Sequence, residues 1–244
     1  MLEGLYSAAA GMSAQQEQLD AIGNDLANVS TTGYKAERVA FSDLLYSSVH
    51  QAGTVTSEGA GASAHVIGHS GAEGAFRETG DPLDLAIEGD GYFQVKREDG
   101  KVLLTRNGTF GLDASGTLTN AEGNRLEPPI KLPAGVSPKE LSIAPDGTVS
   151  VGKHKLGQIQ LVTVTGPDHL LSVGTGELEA NAASGAPHAA SSARVRQGLL
   201  EESNVDMSRE MAAMVFTQRN YQMASSAIQT ASQMMSIANQ LRPA

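Results

Sequence analysis

The sequence predicts an α+β protein in which paired, coiled-coil-like N- and C-terminal helices flank an inserted antiparallel β-rich middle domain. Three observations predict it. Apolar residues recur at 3-4 spacing near both ends, the period of helices that pack along a seam. Between the ends the pattern changes to apolar–polar alternation, as for strands with one buried face. Asp-Gly and Asn-Gly pairs punctuate that stretch, and such pairs supply the positive φ angles of tight hairpin turns.

The first helix is expected over residues 2–30, within an N-terminal helical segment 1–35. Leu2, Leu5, Ala9, Met12, Leu19 and Leu26 share one seam, with Gln16 and Gly23 at its other positions. Thr32-Gly33 predicts the stop, because Gly enters the left-handed region that closes helices. Val39, Phe41, Leu44 and Leu45 suggest a short amphipathic piece, but residues 51–75 are rich in Gly, Ala and Ser. The whole stretch 36–80 therefore reads as an irregular connector. Residues 81–190 read as the β-rich domain, with hairpin signals at Asp90-Gly91, Asp99-Gly100, Asn107-Gly108 and Asp146-Gly147.

Residues 191–244 read as the C-terminal helical segment. Met207, Met214, Tyr221, Ile228 and Met235 recur every seven residues, and Thr217, Ala224, Ala231 and Ala238 interleave with them. Ser203-Asn204-Val205-Asp206 offers capping side chains before the helix, and Pro243 follows it.

Composition removes several functions. A net charge of -10 without any Lys/Arg cluster opposes nucleic-acid binding. Absence of cysteine excludes disulfides and thiolate metal sites. The first positive charge is Lys35, so the opening residues do not read as a Sec signal. No apolar run is long enough to span a bilayer. An extracytoplasmic role would need a dedicated export machine.

What the terminal helices carry outside their seams points to assembly. No charged residue lies between Arg219 and Arg242, or within residues 4–16. A free helix normally offers water a charged face. Small, uncharged polar side chains instead suit close packing, so burial of both faces among neighbouring subunits is expected. A monomeric helical binding module that grips a partner is the alternative.

The residues also carry a resemblance. Ile22-Gly23-Asn24-Asp25-Leu26-Ala27-Asn28-Val29-Ser30-Thr31-Thr32-Gly33-Tyr34-Lys35 resembles the N-terminal signature of flagellar rod and hook axial proteins, with Asp25 and Gly23 replacing the usual Asn and Ala. Leu83 to Phe93 and Thr105-Arg106-Asn107-Gly108-Thr109-Phe110 are similar to the central motifs. Gly198, Glu201, Ser203 to Asp206, Glu210, Met214, Gln218-Arg219 and Tyr221 fit the closing signature. Arg38 to Tyr46 is most like the distal rod subunit; Pro82-Leu83-Asp84 leans to the proximal, F-type subunit, which ranks second.

The resemblance implies a structural subunit of the basal-body rod, self-assembling into a helical tube that transmits torque from motor to hook. The implied partners are copies of itself, other rod and hook subunits, the flagellar export apparatus and the ring proteins around the rod. The implied location is the periplasm-spanning rod. No cofactor, metal or catalytic residue is expected. The residues expected at the assembly interface are Leu5, Met12, Leu19, Leu26, Asn24, Asn28, Gly33, Asn204, Met214, Gln218, Arg219, Tyr221, Ile228 and Met235.

Rival chemistry is thin. Gly68-His69-Ser70-Gly71-Ala72 nearly spells a serine-hydrolase elbow, with Ser70 as nucleophile and His154, His169 or His188 as base. The elbow needs a helix immediately afterward, and Glu73 to Pro82 cannot make a long one. Gly59 to Ala64 matches a dinucleotide fingerprint but follows no buried strand. His65 and His69 stand four apart among glycines, without an evident third metal ligand.

Overall fold

A computed structural model describes residues 2–43, 47–51, 54–58, 61–133, 135–174 and 176–240. Leu44, Leu45, Tyr46, Gly59, Ala60 and Pro243 lie outside the described residues, as do the side chains of Leu2, Leu5 and Ala238. The chain divides into two compact units.

The first unit comprises Met1–Ala27, Glu37–Ile67 and Asp206–Ala244. Its helices α1 (Leu2–Ala27) and α2 (Met207–Gln240) pack against each other. Asp206 caps α2: its Oδ1 accepts the backbone N–H of Ser208 at 3.0 Å and of Arg209 at 3.2 Å. Along α2 Thr217 is buried and Glu210, Met214, Tyr221, Ala224, Ile228, Ala231 and Met235 are half-buried, an unbroken 3-4 strip, with half-buried Ala213, Asn220 and Ser225 beside it. Met207 is exposed, so the strip starts one turn later than its heptad partner suggested.

In α1 the buried face is rotated from the expected seam. Ala14, Ala21, Ile22 and Asp25 are buried; Met12, Leu19 and Leu26 are half-buried; Ala9 and Gln16 are exposed. The cause is a second neighbour. Strand Glu37–Asp43 also packs on α1, and a Cβ at Gly61 would stand 2.8 Å from that of Ala10. Small side chains are needed where two neighbours approach one helix.

The stretch expected to be an irregular connector carries strands. Glu37–Asp43 pairs with Ala62–His69, and Ser47–Gln51 forms an antiparallel hairpin with Thr54–Glu58. Its Ala and Ser hide enough Val, Thr, Phe and Ile for pleated structure. The segment expected to be helical from residue 191 likewise begins with strands Arg194–Gln197 and Leu199–Glu201.

The second unit comprises Asn28–Ala36 and Gly68–Val205. Among the described residues, nine strands join one antiparallel sheet centred on Tyr92–Lys96, which pairs with Val102–Thr105, Arg125–Leu126 and Leu161–Thr163. Alternation sends successive side chains to opposite faces. Phe93, Val95 and Leu103 enter a large core with Leu85, Ile87 and Phe110; Tyr92 and Leu104 enter a smaller one with Val162, Leu170 and Leu178. Phe93 and Phe110 meet edge-to-face, 5.2 Å between centroids.

Two of the four hairpin signals close hairpins: Asp99-Gly100 joins Tyr92–Lys96 to Val102–Thr105, and Asp146-Gly147 joins Leu141–Ile143 to Thr148–Val151. The other two do not. Asp90-Gly91 lies between strands of different sheets. Gly108 is needed where backbones cross, since a Cβ there would lie 1.5 Å from the Leu85 carbonyl oxygen.

Candidate mechanical junction

Inside the second unit the three sequence motifs meet at one carboxylate. Glu201, at the end of strand Leu199–Glu201, has a fully buried side chain. Its Oε1 accepts from Lys35 Nζ at 2.6 Å and from the Gly74 backbone N–H at 3.0 Å. Its Oε2 accepts from Arg106 Nη1 at 3.0 Å. Both cations are buried as well.

The cations are held from their other sides. Lys35 Nζ donates to the Ala72 carbonyl at 2.6 Å. Arg106 donates from Nη1 to Ile87 O at 3.1 Å and from Nη2 to Gly89 O at 2.7 Å, and its guanidinium stands 5.6 Å from the centre of the Tyr92 ring. Burial pulls the Lys35 ammonium below its ordinary pKa, and Glu201 opposes that pull. Burial also pushes the Tyr92 hydroxyl upward, with Arg106 opposing it. A charge cluster this dry persists only because almost every donor is engaged.

The backbone repeats the connection. Gly33 N–H donates to Glu201 O at 2.8 Å, and Asn204 N–H to Tyr34 O at 3.3 Å. Asn204 Oδ1 accepts from Ala36 N–H at 2.8 Å, while its Nδ2 donates to Ala72 O at 2.9 Å. Gly33 sits at φ +70°, and a Cβ there would come within 2.6 Å of the Arg106 carbonyl carbon. The expected helix stop is thus a docking residue: α1 ends earlier, at Ala27, and Gly33 lets the chain lie against the Arg106 backbone.

Of the expected interface residues, the junction gathers Gly33 and Asn204. Asn28 lies just before it, accepting from Thr31 Oγ1 at 3.2 Å. Met12, Leu19 and Leu26 are half-buried in α1, and Asn24 donates to Glu37 Oε1 at 2.6 Å. Met214, Tyr221, Ile228 and Met235 lie on the half-buried strip of α2; Gln218 and Arg219 are exposed. Lys35, Arg106 and Glu201 are not among the interface residues the sequence suggests. Their signal was present: one acid and two bases, each inside a separate motif rich in Gly and apolar residues.

A hydrolase elbow is absent. Ser70 follows the strand Ala62–His69, no helix starts directly after Ser70, and its Oγ accepts from the Ala72 N–H at 3.4 Å. His65 bonds through Nε2 to Ser63 Oγ at 3.2 Å.

Three family models match the chain in order. Residues 5–35 match the flagella basal body rod protein, residues 86–151 the flagellar hook protein FlgE/F/G D1 domain, and residues 196–241 the flagellar basal body rod FlgEFG protein C-terminal region. The flagellar basal-body rod protein FlgG of Borreliella burgdorferi is 35% identical, covering 99% of each chain. The chain belongs to the flagellar basal-body rod protein family. FlgG of Bacillus subtilis is 35% identical over 96% of this chain and 97% of its own, and FlgF of Mesorhizobium japonicum 30% identical over 91% and 90%. As a rod protein it is a structural subunit of the flagellar basal body and not an enzyme. Membership places it in assembly with other rod and hook subunits. No helix among the described residues is long and apolar enough to cross a membrane.

Proposed function

We propose that this rod protein is a distal-rod subunit that assembles into a helical tube and transmits torque from motor to hook. The observation that carries the reading is the buried Lys35–Glu201–Arg106 cluster. It ties the segment that follows α1 to the segment that precedes α2, and ties both to the β-sheet of the second unit. Force entering along either helix meets a buried ionic and hydrogen-bonded knot before it reaches the sheet.

In this reading Met12, Leu19, Leu26, Met214, Tyr221, Ile228 and Met235 hold α1 and α2 in a coiled-coil-like pair, with Leu5 continuing the line. Asn24, Asn28, Gly33, Asn204, Gln218 and Arg219 shape the ends of that pair for neighbouring subunits. The subunit reaches the rod through the flagellar export apparatus and contacts the surrounding ring proteins.

Electron microscopy of concentrated full-length protein tests this. Tubes or filaments are expected. A chain that stays monomeric at every concentration is a binding module instead, and overturns the reading.

A further inference from the structure

We infer that the second unit binds a small monocarboxylate in the cavity beside the Lys35–Glu201–Arg106 cluster, held by Tyr92 and Lys35. The inference is independent of the assembly reading, since every group it uses lies within one unit. The cavity measures about 270 Å³. That is near the lower edge for small-molecule sites, so it suits a ligand of a few heavy atoms and excludes a nucleotide.

Three segments of the second unit build the wall. Lys35 comes from the stretch after α1, Tyr92 from the central strand of the sheet, and Thr163, Val164 and Thr165 from the strand beside it and the residues that follow. Gly68 lets the next turn close in, since a Cβ there would lie 1.4 Å from the Asp168 carbonyl oxygen. The site is therefore shaped by packed backbone.

Tyr92 points to a ligand. The residue is 8% exposed, yet among the described residues its hydroxyl has no hydrogen-bond partner. A tyrosine hydroxyl this far from bulk water ordinarily finds one. The cavity that Tyr92 lines gives that hydroxyl an outlet. Lys35 offers a second donor: its ammonium has three N–H groups, and Glu201 Oε1 and the Ala72 carbonyl engage two of them. The Thr163 and Thr165 hydroxyls add further donors, while Val164 and Pro167 supply an apolar side for a short hydrocarbon tail.

Charge selects the class. Lys35 and Arg106 share one buried acid, Glu201, so the buried cluster keeps a surplus positive charge. Arg106 is also the strongest charge acting at the Tyr92 hydroxyl, ahead of Asp90, Asp168 and Glu201. A single surplus charge away from water suits a monoanion. Asp90, exposed where it lines the cavity, repels a phosphate dianion. A carboxylate accepts from Tyr92 and Lys35 with its two oxygens and neutralises the surplus.

The test uses full-length protein and sodium propionate, with thermal melting compared against sodium chloride at equal ionic strength. Propionate is expected to raise the melting temperature, and the dependence on its concentration gives a dissociation constant in the millimolar range. Tyr92→Phe is expected to leave the melt without propionate unchanged, because the hydroxyl bonds nothing in the protein, and to weaken binding about tenfold. Thr163→Val is expected to weaken it about threefold, and serves if Tyr92→Phe alters the melt by itself. A propionate effect no larger than that of chloride overturns the site. Wild-type response in both variants overturns its location. Phosphate acting at lower concentration than propionate overturns the monocarboxylate class.

Discussion

Lys35 and Glu201, separated by 166 positions in the sequence, meet in a buried ion pair at 2.6 Å. Arg106 holds the opposite oxygen of the same carboxylate at 3.0 Å. Removing the acid strands two buried cations; removing one base leaves the acid still paired. Glu201→Gln is therefore expected to destabilise the second unit by about 3–5 kcal/mol, and Lys35→Met by clearly less. Urea unfolding of the full chain measures both, and a larger loss from Lys35→Met would contradict the geometry.

Arg106→Lys keeps the charge and loses the fork. One ammonium cannot reach Glu201, Ile87 O and Gly89 O together while lying against Tyr92. The expected loss is about 2 kcal/mol in the same unfolding measurement. Wild-type stability in this variant would show that charge alone suffices.

Two glycines should respond in opposite directions to alanine. At Gly33 a Cβ meets the Arg106 backbone at 2.6 Å and φ is +70°, so Gly33→Ala should destabilise by about 1–3 kcal/mol. At Gly23, within α1, a Cβ meets nothing within 4 Å, so Gly23→Ala should stabilise the helix by about 1 kcal/mol. Thermal melts of the two variants compare the signs directly.

Glu210, in the first turn of α2, has its carboxyl pushed above the ordinary 4.5 by burial, then by the Asp25 carboxylate, with Arg209 opposing. The native state thus binds this proton more readily than the unfolded chain. The resulting stability is fully present below about pH 4.5 and is lost as pH rises through the native value. Helical circular dichroism during heating should show α1 and α2 melting later under mild acid. Glu210→Gln should keep that gain at neutral pH. Asp25→Asn should act in the same direction, since it removes the neighbouring charge.

The strip on α2 was legible because its heptad is long and capped at Asp206, and because α1 dominates its packing. The face of α1 was not legible to the same degree. Its Leu and Met seam was plain, but strand Glu37–Asp43 packs on α1 and Gly61 closes on Ala10, neighbours that periodicity does not see. Strands at 37–69 were hidden by small residues whose strand character depends on the partner strand. The junction was the least legible part. Lys35, Arg106 and Glu201 each stood in a quoted motif, yet their meeting is fixed by sheet topology, and local pattern carries no information about pairing at a separation of 166 residues.

The hydrogen bonds from Gly33 to Glu201 and from Asn204 to Tyr34 fasten the entrance of the second unit to its exit. The unit is thereby a loop buckled at its own neck. Lengthening or shortening its outlying turns leaves the spacing of the two chain segments at the neck unchanged, so such changes are absorbed inside the unit.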